Sequence, residues 1–176
     1  MDRGAPEPAE VLQVNIGLDL NARRASSIEI DPAALDAVET RLDAARRAIA
    51  AWYNLSLVTG EGASFLRYHP GGFYRRHRDQ AIVSGWPAAA HRLISLVVFL
   101  NSSRSRAVAG EFSGGELLVF PESRDNPAIA EAIRVVPREG CLVAFPAALL
   151  HEVRPVRAGI RDVIVDWYYG SAEADP

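Results

Sequence analysis

The fold and the chemistry of this chain depend on one stretch, YHPGGFYRRHRD, which runs from Tyr68 to Asp79. Residues two positions apart on a β-strand project from the same face, so a strand here directs the imidazole of His77 and the carboxylate of Asp79 into one cavity. A further histidine, His151, lies on a distant predicted strand and would complete two nitrogens and one oxygen on one face of a metal ion. This ligand set is typical of Fe(II) sites that keep open positions. The sequence therefore predicts His77, Asp79 and His151 as catalytic metal ligands.

The arginine on the last predicted strand, residues 160–169, needs a partner. The strand alternates, and Arg161 falls on its mostly apolar face. An unpaired buried charge is very costly, and no acidic residue is obviously assigned to this guanidinium. A ligand carboxylate would satisfy it through two parallel hydrogen bonds. The alternative is a structural salt bridge to Asp162 or Glu152.

Composition places the chain among single-domain globular proteins. It has 176 residues, of which 49% are hydrophobic and 23% charged. This length and this hydrophobic content suffice to bury a core without disulfides. The formal net charge of −3 argues against a nucleic-acid partner. The single cysteine, Cys141, excludes an intrachain disulfide and is predicted to be buried in a strand. The N-terminus lacks a signal-peptide pattern and no apolar run approaches the roughly 20 residues of a membrane span, so we expect a cytoplasmic protein without a membrane partner.

One long helix precedes the β-rich part of the chain. Asp31 and Pro32 are typical of an N-cap and a first helical position, and the helix is expected to end near Asn54. Its charged residues lie opposite one apolar stripe, which predicts the face that packs on a sheet. The stripe comprises Leu35, Val38, Leu42, Ala45, Ile49 and Trp52.

Short strands separated by Gly and Pro turns fill the chain after the helix. Many short strands at even spacing are typical of a sandwich or jelly roll. The predicted fold is therefore mainly β with a supporting helix, a double-stranded β-helix of the cupin-like jelly-roll type, in one domain over residues 1–176 with its core at 63–170. The predicted strands are 11–18, 28–30, 63–69, 74–83, 93–101, 116–121, 133–136, 141–145, 151–153 and 160–169, with a loop at 21–27 and a loose tail at 1–10.

Several blocks accompany the predicted metal ligands. They are VFLN at 98–101, GGEL at 114–117 followed by FPE at 120–122, HEVRP at 151–155, and WYY at 167–169. Together with Tyr68, the HRD block at 77–79 and Arg161, they resemble the Fe(II)- and 2-oxoglutarate-dependent dioxygenases of the prolyl 4-hydroxylase branch. The blocks are especially similar to the oxygen-sensing prolyl hydroxylases and to bacterial PKHD-type hydroxylases.

The resemblance implies a set of cofactors and a role for each site residue. Fe(II) would be ligated by His77, Asp79 and His151, and 2-oxoglutarate and O₂ would be the co-substrates, with ascorbate left open as an additional cofactor. Arg161 would bind the C5 carboxylate of 2-oxoglutarate, helped by the hydroxyl of Tyr68.

Three residues are predicted near a substrate, and one position departs from the family pattern. Tyr74 falls where the family places a residue at the substrate mouth, and Trp167 would pack beside the site. Arg76 belongs to a basic cluster that either is a solvated face or attracts an acidic substrate. Phe99 stands where the oxygen-sensing enzymes have a tyrosine that touches 2-oxoglutarate, which affects the expected co-substrate affinity.

The implied activity is hydroxylation of an unactivated C–H bond with release of succinate and CO₂, and a prolyl residue in a peptide or protein is the first substrate expected. A free amino acid or small metabolite is the alternative substrate. A non-enzymatic metal-binding jelly roll is the alternative class, since this architecture hosts many functions. Arg161 distinguishes the two classes, because a plain metal site has no need of an inward guanidinium.

Overall fold

The structure is a computed structural model, and it describes residues 22–80, 87–106, 108–121 and 131–170. The predicted tail at 1–10 and the predicted strand at 11–18 lie outside the described residues. Within the described ranges, no helix combines the length and the apolar character that crossing a membrane requires.

Helix α1 spans Pro32–Tyr53 and confirms the predicted helix. The carboxylate of Asp31 caps its first turn, because it accepts hydrogen bonds from the backbone N–H groups of Ala33 at 3.0 Å and Ala34 at 3.3 Å. These donors would otherwise lack an intrahelical partner. At the other end, Asn54 adopts the left-handed conformation with a φ of 53° and closes the helix.

The apolar stripe of α1 is buried over only part of its length. Leu42 is buried at its centre, but Trp52, which the stripe included, is 85% exposed, so this part of the prediction was wrong. The next residue, Tyr53, faces the sheet instead, and its hydroxyl donates to the carbonyl of Ala144 at 2.9 Å. Successive helical residues point about 100° apart, so the turn that brings Tyr53 to the sheet directs Trp52 to solvent.

The described strands are short, and a second helix, α2, has one turn. In chain order they are β1 (Arg23–Arg24), β2 (Ser26–Ser27), β3 (Leu57–Gly60), β4 (Ser64–Tyr68), β5 (Phe73–His77), α2 (Pro87–Ala90), β6 (Arg92–Phe99), β7 (Ser113–Gly114), β8 (Leu117–Phe120), β9 (Ile133–Val135), β10 (Leu142–Pro146), β11 (Leu150–Val153), β12 (Val156–Ala158) and β13 (Arg161–Gly170).

Two antiparallel sheets pack face to face. The major sheet has the order β10-β6-β13-β4-β2 with β3 paired to β13, and the minor sheet has the order β1-β5-β11-β8-β9. Buried residues from both sheets, such as Val97 and Phe99 of β6 and Leu117 and Val119 of β8, form one cluster between them, called here the inner core. This architecture is the predicted mainly β jelly roll.

Strand β13 lies inside the major sheet, between β6 and β4, and residues on both of its faces are buried. On one face Val163 enters the inner core. On the other face Tyr168 packs under α1 with Ile94 and Leu96, and its hydroxyl donates to the carbonyl of Leu42. Helix α1 therefore covers the outer face of the major sheet, and the face of β13 that carries Arg161 and Val163 points toward the minor sheet.

Two predictions before the helix were wrong. Residues 21–27, predicted as a loop, contain β1 and β2, which pair with the edges of the minor and the major sheet, respectively. Residues 28–30, predicted as a strand, contain none. Strands of two residues are too short to show a period in the sequence, which is why the pattern missed them.

The predicted strand 74–83 and the predicted burial of Cys141 also need correction. Strand β5 ends at His77, and residues 81–83 lie outside the described part of the chain. Just beyond the strand, the N–H groups of Asp79 and Gln80 both donate to the carbonyl of Ala147 at 3.0 Å, so the backbone has left the ladder. Cys141 is exposed because it precedes β10 in the turn rather than lying within the strand.

Candidate metal centre

Two histidines and one aspartate converge at the end of strand β5. His77 is the last residue of β5 and the Cα partner of His151 on β11. Oδ1 of Asp79 lies 3.3 Å from Nε2 of His77, and Oδ2 lies 3.4 Å from Nε2 of His151. One potential ligand atom from each residue lies within 4.8 Å of the other two. The structure thus brings the three predicted residues together, in an arrangement that could hold a metal ion.

Both histidines direct the same ring nitrogen at the centre. Nδ1 of His77 lies 2.8 Å from the carbonyl oxygen of Arg75, and Nδ1 of His151 lies 3.0 Å from that of Leu149. A carbonyl oxygen only accepts, so in the neutral rings each Nδ1 carries the proton and each Nε2 keeps its lone pair facing Asp79. A metal-binding imidazole needs that lone pair, and the hydrogen bond at the other nitrogen fixes the orientation of the ring.

The three groups shift one another's pKa values. Burial lowers the pKa of His77, and Asp79 offsets this only in part. Burial acts in the same sense on His151, but the hydrogen bond and charge of Asp79 outweigh it and raise the pKa of His151. Burial acts to raise the pKa of Asp79, yet hydrogen bonds from His151 and His77 outweigh burial and hold that pKa well below its usual range. Asp79 is therefore ionised at neutral pH, which is the form that binds a metal ion.

Aromatic rings pack against both histidines. The ring of Tyr74 stacks on that of His77, with centroids 3.5 Å apart and an interplanar angle of 19°. The ring of Phe145 meets that of His151 edge-on at 4.9 Å. Burial raises the pKa of Tyr74, so its hydroxyl stays protonated and can donate a hydrogen bond. These contacts restrict the imidazoles and surround the centre with apolar surface.

Asp79 is held by residues of the opposite sheet, which the sequence did not predict. The hydroxyl of Ser95, on β6, donates to Oδ2 of Asp79 at 2.6 Å. Nη1 of Arg92, at the start of β6, donates to the backbone carbonyl of Asp79 at 3.4 Å. One feature of the sequence could have pointed to Ser95. It alternates with Val97 and Phe99 on the inward face of an apolar strand, where a buried polar group needs a hydrogen-bond partner.

The guanidinium of Arg161 is buried without a full set of partners. The residue is 1% exposed, and among the described residues its Nε and Nη1 atoms have no hydrogen-bond partner. Both acids considered for a salt bridge bind other arginines. Asp162 accepts from Arg67 at 2.7 and 2.8 Å, and Glu152 lies 3.5 Å from Arg76. The alternative of a structural salt bridge from Arg161 to either acid is therefore wrong.

Two aromatic rings flank this guanidinium. Its central carbon lies 4.8 Å from the ring centroid of Tyr68 and 5.4 Å from that of Phe99. Tyr68 is also the Cα partner of Arg161 in the ladder of β4 and β13. Burial lowers the pKa of Arg161, and the Tyr68 hydroxyl offsets this in part. A buried cation with two unpaired donors is a fitting partner for the carboxylate of a ligand.

Two further residues were predicted near a substrate, Trp167 and Arg76. Trp167 is the Cα partner of Ser95, and the guanidinium carbon of Arg92 lies 3.8 Å from its ring centroid. Trp167 thus packs against Ser95 and Arg92, the two residues that hold Asp79. Arg76 extends from the opposite face of β5 to His77, and its guanidinium carbon lies 3.8 Å from the ring centroid of Phe120.

The donor set fits the cofactors that the resemblance implied. Two imidazole nitrogens and one carboxylate oxygen suit Fe(II) and leave positions for other ligands. The unpaired nitrogens of Arg161 fit one carboxylate of a dicarboxylate co-substrate. Both features open on the inner core, because Phe145 beside His151 and Phe99 beside Arg161 belong to that one cluster.

The chain is similar in sequence to known hydroxylases. A PKHD-type hydroxylase from Picosynechococcus is 34% identical over 58% of this chain and 39% of its own length. One from Parvibaculum lavamentivorans is 32% identical over 85% of this chain and 58% of its own. The chain thus spans well under two thirds of the length of these curated relatives.

Solved structures give the same picture. A Pseudomonas putida prolyl-4-hydroxylase matches with a TM-score of 0.65 at 29% identity, over 86% of this chain and 75% of the other. A Trichoplax adhaerens prolyl hydroxylase, solved with a peptide fragment of the hypoxia-inducible factor oxygen degradation domain, matches in fold, with a TM-score of 0.68 at 19% identity over 95% of this chain and 71% of the other. These relatives confirm the predicted likeness to the prolyl hydroxylase branch. The profile of the 2OG-Fe(II) oxygenase superfamily matches residues 63–169, and the chain belongs to this superfamily.

Proposed function

We propose that this protein is an Fe(II)- and 2-oxoglutarate-dependent dioxygenase that hydroxylates an unactivated C–H bond. The observation that carries the proposal is the buried guanidinium of Arg161, whose Nε and Nη1 lack partners among the described residues. A protein that only stored a metal at the His-Asp-His centre would gain nothing from this charge, which costs stability until an anion pairs with it. A co-substrate with one carboxylate for the guanidinium and an oxo-acid end for the metal uses both features.

In this proposal each residue of the site has one task. His77, Asp79 and His151 hold Fe(II), and Arg161 with the Tyr68 hydroxyl binds the C5 carboxylate of 2-oxoglutarate. Residues 1–176 are taken as one domain, and its core at 63–170 contains all of them. When bound, the metal and co-substrate supply the activation of O₂ that hydroxylates the substrate and yields succinate and CO₂.

The chain itself contributes orientation, charge and a dry environment. The hydrogen bonds from both Nδ1 atoms keep Nε2 of His77 and of His151 free to bind the metal. Arg161 neutralises the far carboxylate in a buried setting, where its charge acts more strongly than it would in water. Phe99 and Phe145 of the inner core keep water away from the reacting atoms.

We propose a prolyl residue in a peptide or protein as the substrate. Support comes from the names of the relatives, which include a prolyl-4-hydroxylase and a prolyl hydroxylase solved with a peptide. Tyr74 is the chain's own candidate for a substrate contact, because its ring stacks on that of His77 and its hydroxyl remains a donor. Trp167 and Arg76 stay predicted substrate neighbours.

The test of the chemistry is an anaerobic titration of the Fe(II)-loaded full chain with 2-oxoglutarate, followed by visible absorbance. We expect a metal-to-ligand charge-transfer band, as forms when an oxo-acid chelates ferrous iron at an open site. His151→Ala and Asp79→Ala should abolish the band. His91→Ala is the matched control, because His91 is exposed and does not belong to the group of potential ligands. No band in the wild-type protein at stoichiometric iron would contradict the proposal.

The test of the substrate is succinate release in air with short proline-containing peptides and with the same peptides carrying alanine for proline. We expect release above the uncoupled background only with the proline series. Stimulation by a free amino acid and by none of the peptides would contradict the peptide assignment while leaving the enzyme class intact.

A further inference from the structure

The backbone of Asp79 is fixed by Arg92 of β6 and by Ala147, which directly follows β10, although its neighbours His77 and His151 belong to the minor sheet. The N–H of Asp79 donates to the carbonyl of Ala147 at 3.0 Å, and its carbonyl accepts from Arg92 at 3.4 Å. Arg92 is itself held by Glu61, at 2.6 Å from Nε to Oε2. The position of the residue is therefore set, but the orientation of its carboxylate is not.

The last torsion of an aspartate side chain is broad and roughly two-fold, so anchoring the backbone does not decide which oxygen meets which histidine. In this structure the hydroxyl of Ser95 makes that choice. Ser95 is 1% exposed, and its Oγ lies 2.6 Å from Oδ2 of Asp79. Its neighbours in the ladders, Phe145 and Trp167, leave a buried hydroxyl little freedom to turn elsewhere.

A hydrogen bond from a hydroxyl makes the two carboxylate oxygens of Asp79 unequal. Oδ2 accepts from Ser95, which uses one of its lone pairs and draws electron density from that oxygen. Each oxygen faces one histidine, Oδ1 at 3.3 Å from Nε2 of His77 and Oδ2 at 3.4 Å from Nε2 of His151. Of the two, Oδ1 does not accept from Ser95, so it keeps the greater density and is the better metal donor. A carboxylate bound through one oxygen also occupies fewer coordination positions than one bound through both.

We propose that Ser95 is a positioning residue that holds Oδ2 of Asp79 and thereby presents Oδ1 alone to the metal. This inference rests on the proposed function, since it assumes that Asp79 is a metal ligand. Ser95 acts through Asp79 and touches neither metal nor substrate. It keeps the carboxylate monodentate, which preserves open positions for a two-point co-substrate and O₂.

The test is Co(II) binding to the metal-free full chain, followed by the visible ligand-field bands, which report coordination number. Ser95→Ala is expected to lower Co(II) affinity about ten-fold or more, as lost outer-sphere hydrogen bonds to metal ligands do. It should also change the shape of the bands, because Oδ2 is then free to join Oδ1 on the metal. Ser95→Thr, which keeps the hydroxyl, should restore the wild-type band shape, and Ser95→Cys, with a weaker donor of similar size, should fall between.

The matched control is Ser103→Ala. It removes a hydroxyl from a partly buried serine that is not part of the triad's surroundings, and whose Oγ donates to the carbonyl of Gly114 at 3.1 Å. The control should leave both affinity and bands unchanged. Thermal unfolding of the metal-free variants, monitored by circular dichroism, shows which of them are folded before the metal is added.

The outcomes separate this inference from the proposed function. If wild-type protein binds Co(II) and folded Ser95→Ala binds it with the same affinity and the same bands, the role of Ser95 is refuted and the metal site stands. If folded Ser95→Thr matches the alanine variant rather than wild type, the hydroxyl is not the cause and the inference also fails. If the His151→Ala variant binds Co(II) as tightly as the wild-type protein does, the assignment of the metal site itself is wrong.

Discussion

Replacing Arg161 by methionine should have opposite effects on the stability of the ligand-free protein and on co-substrate binding. The guanidinium is 1% exposed and has two nitrogens without partners among the described residues. Methionine keeps an unbranched side chain in the same space and removes the charge. A residue that served only the fold would lose stability on this change, whereas a residue that waits for an anion would not.

The magnitudes follow from the surroundings of the guanidinium. Replacing a buried, poorly paired charge by an apolar side chain is often neutral or stabilising by about 1–4 kcal/mol. Against this stand the ring contacts with Tyr68 at 4.8 Å and Phe99 at 5.4 Å, each worth about 0.5–2 kcal/mol. Ligand-free Arg161→Met should thus be no less stable than wild type. Loss of a buried charge pair costs a ligand about 2–5 kcal/mol, so the dissociation constant of 2-oxoglutarate should rise by about thirty-fold to a few thousand-fold.

Urea unfolding of the metal-free chain measures the first effect, and the anaerobic titration with 2-oxoglutarate measures the second. Arg67→Met is the control, because Arg67 is a partly exposed arginine on neighbouring β4 that pairs with Asp162. It should lower stability slightly and leave 2-oxoglutarate affinity unchanged. If Arg161→Met is destabilised by several kcal/mol while the affinity for 2-oxoglutarate is unchanged, the guanidinium serves the fold and the reasoning is refuted.

Three further changes probe the surroundings of the site. Phe99→Tyr adds a hydroxyl beside Arg161, and one hydrogen bond of about 1 kcal/mol should tighten 2-oxoglutarate roughly five-fold in the same titration; weaker binding would count against it. Gly115→Ala puts a side chain on a residue with a φ of 63° and places its Cβ 2.9 Å from Cδ of Arg161. Urea unfolding should therefore show a free energy of unfolding that is lower by at least about 1–2 kcal/mol, and 2-oxoglutarate should bind more weakly. Burial acts to raise the pKa of Glu116, but its own N–H and Arg134 at 2.6 Å outweigh this and lower that pKa. The ionised Glu116 side chain therefore stabilises the folded state above the unfolded-state pKa of about 4.3, and this contribution is lost as the pH falls through the lower folded-state pKa. Between pH of about 6 and 3, the free energy of unfolding of Glu116→Gln should therefore fall less than that of wild type.

The metal ligands could be predicted from sequence because their chemistry is restrictive. Only a few residue types bind Fe(II), and His77 and Asp79 are two positions apart while His151 lies on a separate strand. Arg161 could be singled out for a different reason, namely that a charge on an apolar strand face is an energetic anomaly wherever the strand is buried. Both arguments depend on local pattern and residue type. The structure brings the three residues together, although Asp79 lies beyond the end of β5 rather than on the predicted strand.

The residues that hold Asp79 could not be predicted in this way. Ser95 lies 16 positions from Asp79 and on the other sheet, and a serine has no residue-type signature for such a role. The contact between Ser95 and Asp79 depends on where β5 ends. The predicted strand 74–83 continued past Asp79, whereas β5 ends at His77. A strand that continued past His77 would have anchored the backbone of Asp79 in its own ladder, without the bond from Arg92 to its carbonyl.

The site is divided between the two sheets, and this division decides what the packing between them does. The histidines are held by direct pairing of His77 with His151 within the minor sheet. The hydroxyl that contacts the Asp79 carboxylate and the guanidinium proposed to bind the co-substrate belong to the major sheet, as Ser95 and Arg161. The inner core sets the separation of the sheets, and helix α1 backs the major sheet from outside. Loosening the inner core would therefore move Ser95 and Arg161 away from the histidines while the pairing of His77 with His151 is still intact. If Arg161 binds the co-substrate as proposed, co-substrate affinity should be more sensitive to core packing than the ladder between the two histidines is.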